Sequence, residues 1–335
     1  MLKLFQSIFG RETEKERYPE SLIEAAIERA VDGTDSRLRL VSGYKKQLRP
    51  AIIHAIDHVV ALVERTPPPV AAGRADYRSE QRLTALFASA DHMLEVFGNG
   101  DVLKAFRDGA LGSSERVTAM LLAERTEKKI LGKDLVGDRV QNDVAQVVIN
   151  FGGHRLVEPT KDEVHTRRQL KRRGFDHLLT LALKRMTEDR VQRADLSQQR
   201  DLLRRKLSTL KRGGWSFEAQ EGARSDPEAL TTELQAIESE LAKLGSDSGL
   251  LKARLDTLID LLGQAEQQLW ASDLVVHLDR MNIQRDAQDP SAHRIELLEL
   301  QNAAGRHLVA LMVSLLPAEL PPPKDLSALA ARYLG

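Results

Sequence analysis

The sequence lacks cysteine and is poor in aromatic residues, which make up 4% of its 335 positions. Without thiols the chain cannot form disulfides, thiolate zinc sites, iron–sulfur clusters or a cysteine nucleophile. Lys plus Arg and Asp plus Glu number 49 each, and this zero formal charge argues against a surface built throughout for nucleic acid. Because an absence of cysteine is consistent with a reducing compartment, we expect a cytoplasmic protein.

Long apolar runs are also missing. The longest, from Leu308 to Leu316, is about half the length of a membrane span. The first ten residues have neither a long apolar region nor a small-residue cleavage site, so we expect no secretory signal. Glycine loops for nucleotides and the serine elbow of hydrolases are absent as well. These absences favour a soluble, non-enzymatic protein without a cofactor.

Up to about residue 124 the sequence has the periodicity of helices. The apolar spacing predicts helices from Pro19 to Gly33, Ser42 to Arg65, Ser79 to Phe97 and Asp101 to Arg107, and another beginning at the Ser113/Ser114 cap. Together these segments predict a small N-terminal helical bundle.

Two sequence-separated groups of strands follow. In the first, a less regular strand from Lys129 to Val136 precedes the β-branched run from Val144 to Phe151, and Gly152-Gly153 is interpreted as a tight hairpin turn. The second group has an alternating strand around Val276, an apolar strand from Ile295 to Leu300, a turn and a buried strand from Leu308 to Leu316. Since isolated hairpins are marginally stable in water, we expect both groups to pair in one sheet.

The interval between the strand groups carries a heptad pattern, which predicts a coiled coil. Its members are Leu230, Ile237, Leu244, Leu251 and Leu258 at one position and Leu234, Leu241, Leu255 and Leu262 at the other, with Ser248 out of pattern. A first arm, residues 162–212, holds 15 Lys/Arg and 7 Asp/Glu, whereas residues 218–260 hold 4 and 10. Arms of opposite charge favour an antiparallel hairpin, with Gly213-Gly214 ending the first arm.

The fold class expected from these patterns is α+β and predominantly helical, with a small antiparallel sheet and a long coiled-coil hairpin inserted between its strand groups. The predicted domains are an amphipathic segment 1–17, a helical bundle 18–124, a discontinuous β-rich domain 125–160 and 270–318, the hairpin 161–269, and a Pro-rich linker with a short helix, 319–335.

A projecting hairpin adds surface without enclosing a pocket, which favours a scaffold or adaptor that binds other proteins, with self-association as a further expectation. The partner-binding residues predicted are Trp215 and Phe217 at the hairpin tip, because exposed aromatics anchor interfaces. Leu4, Phe5, Ile8 and Phe9 form an apolar face at the amino terminus, which could dock on a partner or on a membrane surface.

Two alternatives remain open. Arg167, Arg168, Lys171, Arg172 and Arg173 could track a phosphate backbone, although few aromatic residues lie nearby for base stacking. A metal-dependent enzyme would use the helical pair His54 and His58 together with Asp91, His92 and Glu95, since imidazoles four residues apart share a helix face. Core-edge or exposed histidines are the competing interpretation of that second pattern.

Overall fold

The computed structural model describes residues 18–99, 115–136, 139–211, 227–243 and 249–321. The chain folds into two compact units, a helical unit, residues 1–56 with 175–265, and a sheet unit, residues 57–174 with 266–335. Every boundary between the units falls inside a helix. The domain limits expected from the sequence divide the chain differently and remain predictions.

The helical unit begins with helix α1, Glu20–Gly33, directly after Pro19. Proline before the first turn and glycine at the end match the sequence expectation. A short 3₁₀ turn, Ser36–Leu40, leads to helix α2, Tyr44–Glu64. The stripe that α1 buries has three- and four-residue spacing and consists of Leu22, Ile23, Ala26, Ile27, Ala30 and Val31.

In the sheet unit, the single helix expected from Ser79 to Phe97 is two helices. Helix α3 spans Gln81–Leu86 and helix α4 spans Ala90–Asn99. Phe87 between them has an extended backbone and a buried ring, and the Ser89 hydroxyl accepts a hydrogen bond from the His92 N–H to cap α4. The one-helix prediction was wrong because a buried aromatic residue fits the helical period even where the backbone leaves it.

The helix expected to start at Ser113 was also wrong over its described part, which is strand β2, Val117–Val136. Val117, Ala119 and Leu121 pack into one core, while Met120 and Leu122 pack into another on the opposite face. A strand buried on both faces shows no polar alternation, so its period of two was not visible in the sequence.

Strand β3, Arg139–Thr160, runs through Gly152-Gly153, so the predicted turn at these glycines was wrong. The register pairs Val136 with Arg139, which places the turn at residues 137–138. Gly153 has a φ of 59° where the register shifts between Leu122 and Glu124. The glycine pair therefore belongs to a β-bulge, which also favours glycine.

The remaining strands confirm the second predicted group. They are β4, Leu269–Leu278, β5, His293–Asn302, and β6, His307–Leu315. The sheet order is β3-β2-β6-β5-β4, with all these neighbours antiparallel, and the two-residue strand β1, Val70–Ala71, pairs parallel with β6. Bridges from Ile283 to Val148 and from Gln284 to Leu278 connect the loop after β4 to both edge strands, β3 and β4.

The sheet has an apolar layer on each face. One face packs on α3 and α4 through residues such as Phe87, Met93 and Phe97. The opposite face contacts Leu62 near the end of α2 and Leu170 in the helix that follows β3.

That helix, α5, spans Glu163–Lys211. The return arm is made of α6, Pro227–Lys243, and α7, Leu250–Gly263, and the four-residue helix α8, Ala265–Gln268, precedes β4. The α+β class, with an antiparallel sheet and a long helix between its strand groups, is thus confirmed. In the described part of the chain, no helix has both the length and the hydropathy needed to cross a bilayer.

Candidate protein-binding surface on the helical hairpin

The partner-binding residues predicted from the sequence lie outside the described residues. This holds for Trp215 and Phe217 at the expected tip and for Leu4, Phe5, Ile8 and Phe9 at the amino terminus. Their proposed roles therefore stay predictions. The described parts of the two arms are where the hairpin can be analysed.

The two arms contact each other with the expected polarity. Arg204 on α5 donates to Glu238 on α6 across 2.5 Å. Leu203 and Leu207 on α5 and Ile237 on α6 are buried. An antiparallel pair of helices with leucine-rich seams and opposite charges is thus present where the heptads predicted it.

The base of the hairpin is held by a half-buried charge cluster. Arg254 on α7 and Arg37 both pair with Asp35, whose side chain is 13% exposed. Hydrogen bonds from Arg37, and a further one from Arg254, lower the pKa of Asp35 to about 2 despite opposing desolvation. The carboxylate stays ionised over the physiological pH range and fixes the start of the 3₁₀ turn against α7.

Helix α5 exposes an apolar face on the hairpin. Val191 is 55% exposed, Leu202 50% and Leu183 41%. Val191 and Leu202 are about three helical turns apart and so lie nearly in line. A shallow groove runs along this side from Thr187 to Gln199.

The apolar face is distinct from the face that meets the return arm. Met186, which lines a cavity together with α7 residues, is rotated about 140° from Val191 at about 100° per residue. No side chain from residue 187 to residue 202 is buried. This segment of α5 therefore presents apolar side chains that its own hairpin leaves exposed.

The basic segment at the start of α5 is largely engaged within the sheet unit. Arg167 donates to the carbonyls of Val63 and Thr66 at 2.8 Å each, where cations stabilise the end of a helix. Lys171 pairs with Glu64 at 2.6 Å. These two cations join the start of α5 to the end of α2.

Other members of the basic segment differ in their surroundings. Arg173 pairs with Glu158 at 2.8 Å. Within the described residues, the Nε of Arg168 is buried and has no hydrogen-bond partner. Arg172 has an exposed side chain. The five residues thus do not form one uniformly exposed basic stripe.

The residues predicted to bind a metal have other roles. The described residues contain no group of three or more His, Asp or Glu side chains arranged to hold a metal ion, so the predicted set does not form one. His58 Nε2 lies 2.6 Å from the Leu269 carbonyl oxygen, and Asp91 pairs with Arg74 at 2.6 Å. His92 lies edge-on to Phe87, while His54 is exposed and Glu95 is half-buried.

Sequence reasoning missed a polar cluster on the sheet. Glu299, whose side chain is 7% exposed, accepts from Arg125 at 3.2 Å and from Gln301 at 2.8 Å. Gln301 also accepts from the indole N–H of Trp270 at 2.9 Å, and His307 lies 3.8 Å from the carboxylate. The signal available was polar Glu299 and Gln301 in an apolar strand, but their partners come from three other strands.

A second feature that sequence reasoning missed is a histidine stacked in the core of the sheet unit. The ring of His154 stacks on Phe87 at 4.5 Å, and the ring of His92 lies 6.1 Å away. Among the described residues, the Nε2 of His154 is buried and has no hydrogen-bond partner. This arrangement makes the neutral imidazole the favoured form.

Comparison with known proteins gave no significant match to a family model, to a curated protein or to a solved structure.

Proposed function

We propose that this chain is a non-enzymatic scaffold or adaptor that binds another protein through its helical hairpin. The observation that supports this most directly is the exposed apolar face of α5 at Leu183, Val191 and Leu202. Apolar side chains on one face of a solvent-exposed helix lower the free energy of a complex when a partner covers them. The nucleic-acid alternative has less support, because Arg167, Lys171 and Arg173 are engaged in internal contacts.

The test is photo-crosslinking in the native cell from a reactive residue at Gln199, beside the groove. We expect a specific set of crosslinked proteins with the wild-type face and a loss of at least tenfold in the double variant Val191→Gln/Leu202→Gln. Glutamine retains high helix propensity, and both sites are exposed, so the hairpin should still form.

The matched control is Glu240→Gln, an exposed change on α6, which should leave the crosslinked set unchanged. Equal crosslinking by the double variant would contradict binding at this face. The predicted tip anchors are tested separately with Trp215→Ala. Loss of crosslinks in that variant alone would place the contact at the tip and remove the α5 face from the proposal.

A further inference from the structure

A cavity of about 210 Å³ lies between α5 and α7 in the helical unit. Met186 on α5 and Leu250 on α7 contribute apolar walls. The volume is below the roughly 300–1,000 Å³ of pockets for drug-sized ligands. Only a molecule of a few carbon atoms fits such a space.

Three guanidinium groups line the same cavity, those of Arg190, Arg193 and Arg254. Arg254 is fixed by its ion pair with Asp35, in which both side chains are 13% exposed. A pocket that combines apolar walls with several arginines suits an amphiphilic anion, because guanidinium groups bind carboxylates with paired hydrogen bonds.

One carboxylate also lines the cavity, that of Asp189. Its oxygen lies 3.7 Å from Arg185, one turn earlier on α5. Asp35 and Asp189 therefore each have an arginine partner, and the charge around the cavity remains positive. An anionic ligand is favoured over a cationic one.

We propose that this cavity binds a small monocarboxylate with a short apolar chain. The carboxylate pairs with Arg190 and Arg193, and the chain packs on Met186 and Leu250. This site is independent of the apolar face of α5 and of the proposed adaptor function.

The test is a titration of the full-length protein with hexanoate, followed by saturation-transfer NMR on the ligand. A ligand of this size in a partly open site should bind with a Kd of about 1 mM. Hexan-1-ol, which has the same chain and no charge, should bind at least tenfold more weakly. Arg190→Gln should weaken hexanoate binding roughly tenfold, because it removes one charge-assisted interaction.

The control is Lys252→Gln, which removes the same charge from α7 at a residue outside the cavity lining. It should leave hexanoate binding unchanged. The cavity assignment would be overturned by equal weakening in this control, by equal binding of hexan-1-ol, or by no saturation transfer at about 20 mM hexanoate, a concentration well above that Kd. Ala253→Leu, which adds volume to the cavity wall, should reduce hexanoate binding and provides a second variant should Arg190→Gln not fold.

Discussion

At the scale of single residues, the sheet unit contains polar groups in environments that resist a change of charge. Burial lowers the pKa of His154, and His92 nearby lowers it further, while the hydrogen bond to the Leu86 backbone acts in the opposite direction. His154 joins strand β3 to the segment between α3 and α4 through its stacking on Phe87. Its protonation state is thus coupled to the packing of these helices on the sheet.

We predict that this histidine makes the protein less stable in mild acid. A group whose folded pKa is depressed binds protons mainly in the unfolded chain once the pH falls below its unfolded value of about 6.5. The free energy of unfolding should therefore decline as the pH is lowered from about 7 toward about 5. Urea denaturation at several pH values measures this slope.

The slope should flatten in His154→Gln, which removes the titrating group. His293→Gln, a change at a half-buried histidine at the start of β5, should retain it. A wild-type slope in the His154 variant would show that other groups dominate the acid response.

At the scale of elements, strand β3 is shaped by three irregular positions. Asp143, Gly153 and Glu158 all have positive φ values, and each lies at a register shift between β2 and β3. Bulges increase the twist of a strand and interrupt the row of edge hydrogen-bonding groups. We infer that they curve this long hairpin and limit pairing of its outer edge with another chain.

The glycine pair in β3 gives a matched test of this idea. Gly153 has a φ of 59°, whereas neighbouring Gly152 is not among the positive-φ glycines and has open space where a Cβ would lie. Gly153→Val should cost about 1–3 kcal/mol, because a β-branched residue is strained at positive φ. Gly152→Val should cost less than about 1 kcal/mol.

Chemical denaturation of the two variants measures both values. Equal costs at the two positions would mean that the bulge is not fixed by the backbone conformation of Gly153.

At the scale of the whole molecule, one sheet is built from strands separated by a long helical insertion. Strands β2 and β6 pair along seven residue positions, although α5, α6 and α7 lie between them in sequence. Such pairing requires closure of a large loop. The hairpin shortens that loop in space, because its arms run in opposite directions.

We predict that the distal hairpin is dispensable for the sheet. Arg204 and Glu238 are 2.5 Å apart across the arms, so a short glycine-rich turn replacing residues 204–238 can connect them without moving the flanking helices. Amide exchange of β2, β5 and β6 should be unchanged in this variant. Faster exchange throughout these strands would mean that the distal arms contribute to the stability of the sheet.

Helices and heptads were the part of the structure that the sequence determined on its own. Helix α1 starts after Pro19, and the buried Ile237, Leu255 and Leu258 are members of the predicted heptads. Local signals sufficed because capping and apolar spacing act within a few turns of one helix. The expected polar side of α5, in contrast, gave no sign that Val191 and Leu202 would stay exposed.

Only the tertiary structure decided the two-sided burial of β2, the bulge at Gly153, and the cluster around Glu299. Glu299 has partners on β2, β5 and β6, and β2 packs apolar side chains on both faces. The physical reason is that a residue's role in a sheet depends on which strands lie beside it and what covers each face. Neighbours distant in sequence supply both, so local periodicity could not reveal them.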